Sequence, residues 1–106
     1  MNKEISATEA VILADKNKYT VFLDVREHHE LAICQIEGAL HIPMSEVPER
    51  LKALTRDAPL IVLCHHGMRS LNVVQYLESK GFDNAFNLSG GIHAWAMTVD
   101  PEMTQY

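Results

Sequence analysis

Four short apolar runs alternate along the chain with polar, helix-patterned stretches. Thr20 to Val25 (TVFLDV) is rich in β-formers and bounded by polar residues, and Pro59 to Cys64 (PLIVLC) is a nearly continuous apolar run. Both predict strands buried on two faces. Ala39 to Ile42 (ALHI), closed by Pro43, and Ala85 to Leu88 (AFNL), closed by Ser89-Gly90-Gly91, predict shorter strands of the same sheet, and Lys3 to Ile5 predicts a fifth at an edge. Between them lie helix signals. Ser6-Ala7-Thr8-Glu9 is a capping box that opens a helix over Ala7 to Lys16. Short helices are expected over Glu27 to Ala32 and Gly91 to Met97, and a capped one over Ser45 to Leu54 with Pro48 in its first turn. Arg69 to Lys80 spaces Leu71, Val74 and Leu77 by three residues, and Gly81 ends the pattern. Strands alternating with helices predict an α/β domain, a mostly parallel sheet of about five strands flanked by helices on both faces. No repeat, low-complexity tract or linker interrupts it, so residues 1–106 read as a single domain.

Composition narrows the function classes. Hydrophobic residues make up 47% of the 106, enough for one modest core, and 9 Lys plus Arg against 14 Asp plus Glu give a formal charge of −5. An acidic chain lacks the basic footprint that nucleic acid or an anionic membrane surface requires, and neither partner is expected. No run approaches the roughly 20 apolar residues of a spanning helix, which with the absence of a leader pattern predicts a cytoplasmic protein. In that reducing compartment Cys34 and Cys64 are expected as thiols.

One place concentrates chemistry. In open α/β sheets ligands gather where strands end and helices begin. Cys64 ends the most apolar strand, and His65-His66-Gly67-Met68-Arg69-Ser70 leads into the next helix. A cysteine there is by itself a packing residue, but a structural turn has no need of three cationic or potentially cationic residues and a glycine. The helix N-terminus favours thiolate over thiol. Gly67 permits a tight loop whose amides converge on an anion, and Arg69 with a protonated His65 or His66 would add positive charge that the chain at large lacks.

Cys64-His65-His66-Gly67-Met68-Arg69 resembles the six-residue active-site loop of the rhodanese-like sulfurtransferases. Leu23-Asp24-Val25-Arg26-Glu27 with Glu30, Ile36-Glu37-Gly38-Ala39-Leu40-His41-Ile42-Pro43, and Leu88-Ser89-Gly90-Gly91-Ile92-His93-Ala94-Trp95 agree with the family in order and spacing. The resemblance implies a ping-pong sulfurtransferase. Cys64 would take the outer sulfur of thiosulfate, release sulfite, and pass sulfur from a persulfide to cyanide or a thioredoxin-like dithiol. The amides of residues 65–70 would hold the persulfide, Arg69 would hold the donor's sulfonate, and no cofactor beyond the covalent persulfide is implied.

Supporting roles fall to Asp24, as acceptor for the loop or the next helix, and to Arg26, as partner of Glu30 and a border of the pocket. Cys34 stands where the family commonly has Gly-His-Ile and reads as a buried apolar thiol; Trp95 reads as core, and Met44 and Met68 as gap filling or adaptable surface at the pocket mouth. The six histidines lack the clustered spacing of a zinc site, so no metal is expected. Two other functions stay open: a sulfur-relay or protein-docking module with little turnover of free thiosulfate, and a phosphatase or arsenate reductase. Phosphatases of this fold have five residues between cysteine and arginine, and here there are four.

Overall fold

The computed structural model describes residues 3–106. Five parallel strands form one sheet: β1 (Glu4–Ile5), β2 (Val21–Asp24), β3 (Leu40–His41), β4 (Leu60–Leu63) and β5 (Ala85–Leu88), in the order β1-β5-β4-β2-β3. The helices are α1 (Ala7–Lys16), α2 (His28–Leu31), α3 (Met68–Ser79) and α4 (Gly91–Thr98). All five expected strands form, each within a residue or two of its predicted bounds.

The continuous apolar run of β4 follows from its central place. Leu60, Val62 and Cys64 face a core shared with Val73, Val74 and Leu77 of α3, while Ile61 and Leu63 face a second core shared with Ala7 and Ala10 of α1 and Ile92 of α4. Residues 60–63 have no exposure at all. At about 1.5–3 kcal/mol for each fully buried Leu, Ile or Val, this one strand anchors both faces.

Local signals set most helix ends. The Ser6 hydroxyl accepts from the Glu9 N–H at 3.1 Å, and the Ser6 N–H donates to the Glu9 carboxylate at 2.8 Å, completing the expected capping box. At the end of α3 the Gly81 N–H donates to the Glu78 carbonyl and the Phe82 N–H to that of Leu77, with Leu77 and Phe82 both buried. That pair of bonds stops the helix where Gly81 predicts.

The helix expected over Ser45 to Leu54 is different. Two short 3-10 turns, Met44–Glu49 and Leu51–Ala53, occupy the segment, and Pro43 rather than Ser45 stands at the first one's start with no side-chain cap. Pro48 lies inside that turn, lacks an N–H, and disfavours α geometry at Val47; Val47 is nevertheless buried, so packing holds the segment in a tighter winding.

The topology places a crevice. β2 and β4 are neighbours, with Asp24 beside Leu63 in register. From β2 the chain leaves toward β3, passing Cys34 and Ile36 on the α1/α4 face; from β4 it leaves toward β5, through α3 on the opposite face. Connections that diverge from adjacent strand ends open a gap between them. Cys64 stands at that gap.

Candidate active site

Cys64 is 1% exposed, and its Sγ is the focus of three donors. The Gly67 N–H lies 3.1 Å away, the Ser70 N–H 3.4 Å and the Ser70 hydroxyl 3.3 Å. The loop wraps back onto its own first residue because Gly67, at φ 110, takes a backbone turn that a side chain would strain. Gly67 is also the residue at which α3 begins, so the helix N-terminus opens directly on the sulfur. Its unpaired amides give the site positive potential without a cationic side chain.

Ser70 is fully buried, and its hydroxyl has a second acceptor, Asn87 Oδ1 on β5. One proton serves two acceptors. Asn87 is positioned by its amide group, which donates to the Gly67 carbonyl at 3.1 Å and to the Glu4 carboxylate at 3.0 Å. Asn87 was absent from the sequence candidates. Its signal is a lone amide in the buried strand AFNL, at the end nearest Cys64.

The charged residues sort differently from expectation. Arg26, with no exposure, closes its fork on Asp24 rather than on the Glu30 carboxylate: Nη2 to Oδ2 is 2.7 Å and Nε to Oδ1 3.0 Å. Both residues sit at the end of β2, and the Arg26 N–H also donates to Asp24, so the pair closes within a two-residue turn. Arg26 further donates to the Cys34 carbonyl at 2.8 Å and the Glu30 carbonyl at 3.3 Å, fixing the path of the chain around α2. Asp24 therefore serves Arg26, not the Cys64 loop.

Glu30 is left for Arg69. The two meet in a bidentate pair of 2.7 and 2.8 Å, with the Glu30 side chain 9% exposed and that of Arg69 34%. The Arg69 hydrogen bonds hold the Glu30 carboxyl far below the usual carboxylate range, against burial that pushes it up. Arg69 is thus neutralised and drawn off toward α2 instead of spreading its fork over Sγ. Two of its five N–H donors are spent on Glu30.

Tyr106, which no sequence signal marked, joins the same network. Its hydroxyl accepts from Arg26 at 2.9 Å and donates to Glu30 at 2.8 Å; burial, first among the causes, raises its pKa to about 12. The ring stacks on His65 at 3.8 Å, and the main-chain oxygen of Tyr106 lies 2.8 Å from His65 Nε2. Burial, then the neighbouring His66, lowers the His65 pKa. The positive charge expected from His65 is thus disfavoured by its surroundings.

His66 and Met68 are exposed, Met68 at 71%, at the outer rim of the loop. Met44 is 37% exposed and lines a groove with Pro48, Val73 and Tyr76. Trp95 packs edge-on against Phe22 with centroids 5.4 Å apart, a core contact. Cys34 and Cys64 are both free thiols; Cys34, half-buried, lies near Arg26 rather than against Cys64. The spacing argument against a metal site missed a juxtaposition: His93, on α4, stands beside His65 and His66. Among the described residues no helix is long and apolar enough to cross a membrane.

Two N–H groups and one hydroxyl thus converge on a sulfur atom at a strand end and a helix start, an arrangement that can stabilise negative charge there. Comparison with known proteins gives the family. The family model of the Rhodanese-like domain matches residues 6–98. The chain is 40% identical over 102 residues to the putative sulfurtransferase YtwF of Bacillus subtilis, covering 94% of this chain and 96% of that one. It is 32% identical over 103 residues to the thiosulfate sulfurtransferase GlpE of Pseudomonas fluorescens, covering 97% and 93%. A rhodanese-like domain protein structure from Staphylococcus aureus superposes with a TM-score of 0.82 at 34% identity, covering 98% of each chain. The chain belongs to the rhodanese-like sulfurtransferase family.

Proposed function

We propose that this protein is a thiosulfate sulfurtransferase that works through a persulfide on Cys64. The Cys64 thiolate attacks the outer sulfur of thiosulfate, a new S–S bond forms, the original S–S bond breaks, and sulfite leaves with the electron pair. The terminal persulfide sulfur, anionic, accepts from the loop amides. A thiophilic acceptor then removes it: cyanide leaves as thiocyanate, while one thiol of a dithiol takes the sulfur and regenerates Cys64. A cytoplasmic, reducing setting keeps both cysteines available as thiols. No cofactor is needed, because the cysteine itself carries the sulfur.

The observation that supports this reading is the convergence of the Gly67 and Ser70 N–H groups and the Ser70 hydroxyl on Cys64 Sγ. Treating the purified protein with thiosulfate is expected to add one sulfur atom to Cys64 by intact mass, and Cys64→Ser to add none. Equal labelling of that variant, or an unmodified wild-type chain, overturns the reading. A phosphatase is disfavoured by loop length, since four residues rather than five separate Cys64 from Arg69.

The exposed Met68 on the loop rim favours one variation, in which the sulfur passes to a docked protein thiol. Slow turnover with cyanide beside fast turnover with a protein dithiol supports it, and the reverse order rejects it.

A further inference from the structure

We infer that His65, His66 and His93 form a binding site for a divalent transition metal ion of borderline softness, such as Zn2+, at the rim of the Cys64 loop. Each imidazole offers one ring nitrogen, and the three nitrogens lie within 4.8 Å of one another. Around a tetrahedral ion with metal–nitrogen distances of about 2.0–2.1 Å, ligand nitrogens stand about 3.4 Å apart. Binding would draw the three side chains slightly together, and the exposed His66 has the most room to move.

Main-chain bonds fix the site's frame. The first-turn amides of α4 donate to the end of β4, Ile92 N–H to the Cys64 carbonyl at 2.9 Å and His93 N–H to the His65 carbonyl at 3.1 Å. This brings His93, which lies 27 and 28 positions further along the chain, against the two loop histidines. The ring centroids lie 3.9 Å apart for His65 and His66, 5.1 Å for His66 and His93 and 6.4 Å for His65 and His93.

The surroundings also suit a ligand set. His65 Nε2 faces the main-chain oxygen of Tyr106 at 2.8 Å, so its N–H donates there and Nδ1 keeps its lone pair. A carbonyl or carboxylate oxygen that accepts from the far nitrogen of a ligating histidine fixes its tautomer and raises its basicity. His93 Nδ1 is buried without a hydrogen-bond partner, an orphaned polar atom in a structure that otherwise satisfies nearly all of them. Three protein ligands leave a fourth position for water or a small anion.

The inference does not depend on sulfur transfer, and its test removes the thiol. Zn2+ titrated calorimetrically into the Cys64→Ser chain is expected to bind one ion per chain. His66→Ala and His93→Ala in that background are each expected to weaken binding at least about tenfold. His29→Ala, on exposed α2, is expected to leave it unchanged. In the wild-type chain, Co2+ is expected to give ligand-field bands without a sulfur-to-metal charge-transfer band. Loss of binding in Cys64→Ser, a thiolate band with Co2+, or full affinity in His66→Ala overturns the site. Because His66 is exposed, that last variant is not expected to disturb the fold.

Discussion

Two junctions at the same edge of the sheet look alike in sequence and do different work. After β4, His65-His66-Gly67 leads into α3; after β5, Ser89-Gly90-Gly91 leads into α4, and both helices start from a glycine with positive φ. The α4 amides are consumed by backbone, since those of Ile92 and His93 donate to the Cys64 and His65 carbonyls. The α3 junction points its amides at a side chain instead, with Gly67 and Ser70 donating to Sγ. A helix N-terminus is therefore a generic anion acceptor that becomes a site only where no carbonyl fills it. Here the first junction is built by the second, because α4 clamps the strand end from which the sulfur projects.

The sharpest way to break this division is through its glycines. At Gly91, φ is 61 and an added Cβ would collide with the Cys64 carbonyl oxygen at 2.5 Å and with that of His65. At Gly67 an added Cβ meets nothing closer than the Gly90 nitrogen at 3.4 Å, so backbone strain alone opposes it. Gly91→Ala is expected to cost about 2–6 kcal/mol and Gly67→Ala about 1–3 kcal/mol, read as denaturant midpoints. Equal losses would show that α4 is not the clamp.

Ser70→Ala probes the sulfur side. It removes one donor to Sγ and leaves Asn87 Oδ1 buried with its acceptor unmet, for about 1–3 kcal/mol of stability. Persulfide formation at Cys64, followed by intact mass over time, is expected to slow as well. Unchanged loading would assign Ser70 to packing alone.

Glu30→Gln tests whether Arg69 is held away from the loop by its partner. Replacing a partly exposed bidentate pair is expected to cost about 1–2 kcal/mol near neutral pH. The sign with pH follows from the depressed Glu30 pKa. Its stabilisation is full above the unfolded-chain value of about 4.3 and is lost progressively as pH falls below that, toward the lower folded value. Urea midpoints of the two chains should therefore differ most above about pH 5 and converge in acid. A gap that widens on acidification contradicts the pairing.

Much of this was legible in the residues. The five strands, the capping box at Ser6 and the helix stop at Gly81 are local signals, and each is realised by the bonds it predicts. The segment after Pro43 misled, because Pro48 and a buried Val47 jointly select a 3-10 winding that helix capping rules do not register. Cys64 and its loop stood out because a strand end, a glycine and several polar residues coincide within seven positions. Asn87 left only the faint mark of one amide in an apolar strand.

The chain alone determined the α/β alternation, the family pattern and the position of the one cysteine whose neighbours can act on it, all of which depend on residues close in sequence. Charge placement was decided by tertiary structure. Arg69 meets Glu30 across 39 positions, Tyr106 reaches Arg26 and Glu30 across 80 and 76, and His93 joins His65 and His66. Long side chains on separate elements pair according to where the elements pack. A chain that reads as carrying a cationic pocket thus surrounds Cys64 Sγ with two backbone amides and a hydroxyl, while Arg26 and Arg69 are already matched to Asp24 and Glu30.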